Sequence, residues 1–149
     1  MLVWRLTKAV HAPGLDGEGA RLWGGRWNSP GLPAAYCAAS PSLAVLESFV
    51  HVPPAMRVAG GLPPLSLVNL EVPDHLSAET SPPGLTDGYA QKDFGDEWLK
   101  SGRSCFLSAR SAVIPQERNV ILNPRHPDMA QVKVISIDPF QYDSRLLTP

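Results

Sequence analysis

The sequence has little that would carry it into a membrane or out of a cell. No uninterrupted apolar stretch approaches the roughly 20 residues of a bilayer span, because a proline, a glycine or a charge interrupts every candidate run. At the amino terminus Arg5 and Lys8 follow too short an apolar run for the core of a secretory signal. Cysteine is scarce. Cys37 and Cys105 lie in separate apolar segments, which suits buried free thiols in a reducing compartment better than a disulfide framework. A soluble cytoplasmic protein is expected. Charge of either sign is also lacking in excess: 13 basic and 14 acidic side chains give a formal net charge of -1. That balance provides no electrostatic footprint for duplex DNA or an anionic membrane surface, so direct nucleic-acid or membrane binding is not expected. His11, His51, His75 and His126 show no metal-ligand spacing among themselves or with the cysteines, so each reads as a surface or capping residue and no metal is expected. Repeats, charge runs and low-complexity tracts are missing, which leaves residues 1–149 as a single domain.

What the chain does have is 44% hydrophobic residues, enough for a core, and 16 prolines and 12 glycines scattered between short apolar runs. Short elements joined by tight turns follow. Leu2 to Leu6 reads as a strand, His11 to Gly19 as a loop, Leu22 to Asn28 as a bent strand and turn, and Ala34 to Ala39 as a strand. Ser40 is a good helix N-cap and Pro41 fits the first helical position, so a helix runs to about His51, before Pro53. Leu65 to Val72 is a strand, and Asp93, Asp96 and Glu97 open a short helix that Gly102 ends. Cys105–Ser108, Ala112–Ile114, Asn119–Leu122 and Val132–Ile137 are further strand-like runs. Strands outnumber helices at short spacing, which predicts an α+β class with antiparallel pairing.

Few residues carry chemistry on pattern alone. Spacings of three, four and seven put Leu43, Leu46, Glu47 and Val50 on one face of the first long helix. A carboxylate on an apolar face needs a reason, either an ion pair with a nearby arginine or a catalytic role. Gly24-Gly25-Arg26-Trp27-Asn28 would let backbone approach a ligand while Arg26 forks onto a phosphate, but on pattern alone a tight turn with an exposed arginine is the favoured reading. It matches no Walker or Rossmann loop. A Cys105–His126 nucleophilic pair is disfavoured, because an apolar strand lacks the electropositive setting that activates a thiol. The tryptophans belong in a core more often than on a ligand, with Trp27 able to serve as either.

Taken together, Gly25-Arg26-Trp27-Asn28, Pro33 to Tyr36, Ala44 to Glu47, Ser111-Ala112-Val113-Ile114-Pro115 and Asn119 to Pro124 resemble the RES domain, a family named for its Arg, Glu and Ser. Those three match Arg26, Glu47 and Ser111, and a family aromatic matches Tyr36. The opening Val3-Trp4-Arg5-Leu6 and the stretch Asn123 to Pro127 are also similar, so the resemblance covers nearly the whole chain. It implies a fold like the ADP-ribosyltransferases, with small antiparallel sheets around an NAD cleft and flanking helices. It implies a toxin held inactive by an Xre-type antitoxin that binds DNA, and NAD as co-substrate, its ADP-ribose passing to water, phosphate or a protein. The resemblance gives Glu47 the developing ribose cation, Arg26 the pyrophosphate and Tyr36 the nicotinamide or its ribose. Ser111 would bond the substrate or orient Glu47, with Asn119 and Arg5 as secondary ligand residues, all lining one cleft. The contrasting reading is a non-catalytic binding module in which Arg26 and Glu47 form a structural ion pair.

Overall fold

Burial alternates along the strands and sorts their side chains onto two faces. On β6 (Arg118–Leu122) Val120 and Leu122 enter one apolar layer while Ile121 enters the other, the period-two pattern of a strand buried on both sides. In the computed structural model, which describes residues 1–149, seven strands form one sheet in the order β4-β5-β6-β2-β1-β3-β7. The others are β1 (Leu2–Lys8), β2 (Ala35–Ala38), β3 (Leu65–Glu71), β4 (Ala78–Thr80), β5 (Phe106–Arg110) and β7 (Lys133–Phe140). The helices are α1 (Glu18–Trp23), α2 (Pro41–Val50) and α3 (Gly88–Ser101). No helix is long and apolar enough to cross a membrane.

The α+β class holds, and its pairing is antiparallel except between β4 and β5. The sheet has a seam. β1 runs beside β3 over seven residue pairs from Leu2↔Glu71 to Lys8↔Leu65, but it meets β2 at one pair only, Trp4↔Ala38. Two small sheets, β4-β5-β6-β2 and β1-β3-β7, are thus stitched at a single point and diverge on either side of it. Val3, Val68, Leu70, Val120 and Leu122 pack on the face away from the seam's opening. On the other face α3 covers β5 and β6 through Trp98, Leu99, Leu107 and Ile121, and α2 sits over the seam through Leu43 and Ala44 against Ala38 and Trp4.

Helix α2 forms as its sequence dictates. The Ser40 hydroxyl accepts from the Leu43 N–H, Pro41 occupies the first turn, and the helix ends at Val50. Its buried stripe is narrower than expected, for Val50 is exposed and the face that carries Glu47 continues to Ser48 and His51.

Three other expectations need correction. Leu22 to Asn28 is not a bent strand: α1 runs to Trp23, and only Gly25 and Asn28 bridge, closing a tight turn. The helix expected at Asp93 starts at Gly88, because Asp87 caps it by accepting from the Tyr89 and Ala90 N–H groups; Gly102 ends it as expected. Ala112–Ile114 is a loop, since the Ser111 hydroxyl takes the Val113 and Ile114 N–H groups that a strand would have paired.

Gly95 is the point where α3 docks on the Gly25–Asn28 turn. A Cβ there would lie 1.7 Å from the Trp27 carbonyl oxygen, so only glycine permits the approach. Gly→Ala inside a helix ordinarily stabilises by about 0.5–1 kcal/mol. Gly95→Ala is expected to do the reverse and lower stability by about 1–3 kcal/mol, the usual range for forced overpacking, in a urea titration. A stabilised variant would show that α3 does not pin this turn.

Candidate active site

The seam opens onto a cavity of about 1200 Å³ whose wall includes Trp4, Arg5, Arg26, Tyr36, Glu47 and Asn119. Strand β2 forms its floor and sets the spacing of its parts. Tyr36 pairs with Ile121 and Ala38 with Asn119, so Tyr36, Ala38 and Asn119 share one face. Two residues of strand, about 7 Å, separate the Tyr36 level from the Ala38–Asn119 level.

At the Asn119 level sits Glu47, half-buried on the cavity side of α2. Its Oε1 accepts a hydrogen bond of 2.6 Å from the Ser111 hydroxyl and one of 3.0 Å from the Asn119 amide. Both donors are neutral, and no ion pair in the chain includes Glu47. The Arg26–Glu47 ion pair of the contrasting reading is therefore not formed. Small Ala38 opposite Asn119 leaves room for the carboxylate to reach the floor.

At the Tyr36 level sits the Gly25–Asn28 turn. The Tyr36 hydroxyl accepts from the Trp27 N–H at 3.0 Å and donates to Asn28 Oδ1 at 2.7 Å, so the ring props the turn from beneath. A side chain at Gly25 would meet that hydroxyl at 2.6 Å, so glycine is required there too. Burial pushes the Tyr36 phenol well above its ordinary range, and the hydroxyl stays a neutral strut at any physiological pH. Asn28 is fully buried, its amide donating to the Ala20 and Leu32 carbonyls at 2.9 Å each. From above, α3 clamps the same turn. The Lys92 ammonium donates to the Gly25 carbonyl, and the Asp96 carboxylate accepts from Ser29 N–H at 2.7 Å and Ser29 hydroxyl at 2.6 Å. Arg26 is left exposed, with one long contact of 3.4 Å to Gln91 and no carboxylate partner.

Arg5 enters from behind. On β1 it opposes Val68, on the face away from Trp4 and Leu6, and its guanidinium crosses the seam to donate to the Tyr36 carbonyl at 3.0 Å. Its Nε is buried with no partner.

Of the residues named from sequence, Arg26, Tyr36, Glu47, Asn119 and Arg5 come together around one cavity. Ser111 does not line it. It is buried beneath Glu47 with its oxygen engaged by three partners, so of the two roles considered only orientation of Glu47 is geometrically open to it. Trp27 is core, 3% exposed and edge-on to Phe94. Cys105 makes no hydrogen bond to a histidine. Burial pushes its thiol up to about 11, and His126 Nδ1 caps the Asp128 N–H. Sequence reasoning missed Gln91, Lys92 and Asp96; the signal was a glycine inside a helix, with polar residues one turn before it and beside it, which marks close backbone approach.

Known proteins agree with this architecture. Residues 2–143 match the RES domain family model. A protein of Sphingobium sp. (strain YBL2) named Prs ADP-ribosylating toxin is 36% identical, over 97% of this chain and 95% of its own length. A Toxin Res of Photorhabdus laumondii is 35% identical over 99% and 97%, and one of Yersinia enterocolitica is 37% identical over 98% and 99%. In the crystal structure of the M. tuberculosis MbcT–MbcA toxin–antitoxin complex, one chain superposes with a TM-score of 0.72 at 21% identity, covering 94% of this chain and 84% of that one. That likeness is one of fold.

Ser111→Ala would remove one of Glu47's two anchors and leave the Val113 and Ile114 N–H groups without their acceptor. An unsatisfied buried donor costs about 1–3 kcal/mol, and these two are only half-buried, so the variant is expected to lose about 2 kcal/mol, the low end for the pair, in a denaturant titration. A change under about 0.5 kcal/mol, the usual scatter for a surface substitution, would show that the hydroxyl is not holding the loop.

Proposed function

The chain belongs to the RES-domain family, and on that footing we propose that it is the toxin of a toxin–antitoxin pair and breaks the nicotinamide–ribose bond of NAD. The observation that carries this reading is the Glu47 carboxylate, held at the cleft wall by Ser111 and Asn119 with no cation to neutralise it. Nicotinamide in NAD is a pyridinium, so when the C–N bond breaks its electron pair goes to the ring nitrogen and the group leaves neutral. The positive charge passes to the ribose, as in the oxocarbenium-like state of glycoside cleavage. Such a leaving group needs no general acid, which fits a site whose buried phenol, Tyr36, is a fixed strut. It does need a preorganised negative charge beside the ribose, and a carboxylate already paired with arginine would supply little.

The other residues take roles that follow from their positions. Arg26, free of any carboxylate, would fork onto the pyrophosphate, where a planar guanidinium makes two parallel bonds. The Tyr36 ring would pack against the nicotinamide or its ribose. Asn119 and Ser111 would fix the rotamer of Glu47, and Arg5 would keep the seam open at the correct width. The acceptor of ADP-ribose is water, phosphate or a protein side chain. The partner we propose is an Xre-type antitoxin that fills the cleft and covers Arg26, leaving DNA binding to the partner, in keeping with the toxin's net charge of -1.

Glu47→Gln is the deciding variant. Its amide oxygen still accepts from Ser111 and Asn119, so the melting temperature should stay near that of the unaltered protein. The charge facing the ribose is lost, and nicotinamide release should fall on the order of 10² to 10³-fold, by analogy with removal of an oxyanion-hole donor. Expression without antitoxin should then no longer arrest growth. A folded variant that releases nicotinamide at the normal rate would sink the catalytic assignment.

A further inference from the structure

Trp23 and Tyr89 are the most exposed aromatic residues of the chain, at 84% and 85% of their surface, and nothing in the fold accounts for either. Single exposed aromatics are ordinary. These two line the same cavity as Arg26. Trp23 ends α1, three residues before Arg26. Tyr89 lies in the first turn of α3, one helical turn before Lys92, whose ammonium grips the turn that carries Arg26. Two elements that meet at the Arg26 turn, α1 and α3, thus each present an exposed aromatic ring to the cleft, while Trp27 and Trp98 are packed in the core.

We propose that Trp23 and Tyr89 form an aromatic clamp for the adenine base of a dinucleotide at the Arg26 end of the cleft. The inference rests on the NAD reading above, from which it takes the order of the groups. With the scissile bond at Glu47 and the pyrophosphate at Arg26, the adenosine half must continue past Arg26, away from the Asn119 level. A purine offers a flat π-face that stacks on aromatic rings with little dependence on the base edge. The clamp is therefore selective for carrying a base, and weakly selective for which base.

The test uses binding, so that it stands apart from catalysis. ADP and inorganic pyrophosphate are titrated by calorimetry into the intact chain and into Trp23→Ala and Tyr89→Ala, with melting temperatures checked; both sites are exposed and the fold should not change. The unaltered chain is expected to bind ADP more tightly than pyrophosphate. Each variant should lose roughly tenfold for ADP, the scale of one stacked base, and nothing for pyrophosphate. The proposal is overturned if the unaltered chain does not prefer ADP, if ADP binding is unchanged, or if both ligands weaken together. Weaker antitoxin binding with unchanged ADP binding would also overturn it, assigning the rings to the protein partner. If the clamp holds while NAD is not cleaved, the catalytic reading fails and a nucleotide site remains.

Discussion

The cleft exists because β1 and β2 share a single residue pair, and every part of the site is arranged around that seam. Had the ladder continued past Trp4↔Ala38, the sheet would close and the space between Leu6 and Tyr36 would disappear. Unpaired strand edges inside a protein carry unsatisfied backbone groups, and these must be met by something other than the neighbouring strand. Arg5 does part of this by donating to the Tyr36 carbonyl. Helix α2 lies across the stitch, where Leu43 and Ala44 pack on Ala38 and Trp4 and bring Glu47 to the opening. A polar site is thus suspended over a gap whose width is set by an arginine and a helix.

The two levels of the floor are held by different means. Glu47 is fixed by two direct contacts from β6 and the loop beside it, whereas Arg26 is fixed mainly through its backbone, its side chain making one long contact to Gln91. The Tyr36 hydroxyl, the buried Asn28 and the α3 residues Lys92 and Asp96 all engage the turn and leave the guanidinium without a carboxylate partner. That division matches what each would do: a carboxylate must not move as charge develops beside it, and a guanidinium gripping a flexible pyrophosphate benefits from some travel.

What the sequence disclosed was what is local. The cap at Ser40, the proline after it and the acidic residue on an apolar face were enough to find α2 and single out Glu47. Elements ruled by distant contacts were misread. Asp96 looked like a first-turn acid of α3 but belongs to the third turn, where it bonds to Ser29 across 67 residues of sequence. The apolar triplet after Ser111 looked like a strand because the side chain that ties its backbone was not recognisable as a cap. The partners of Glu47, 64 and 72 residues away, were reachable only through family resemblance, since spacing carries no trace of so remote a contact.

The free end of the β1-β3-β7 half has its own consequence. β7 is exposed along most of its length, with Val134, Ile135 and Ile137 among the solvent-facing apolar residues. Such a border invites another chain to add a strand. Lys133 at one end, Pro139 near the other and the register shift opposite Asn69 and Leu70 all work against strand addition. An exposed apolar border can therefore stay in solvent without serving as a template on which one copy pairs with the next.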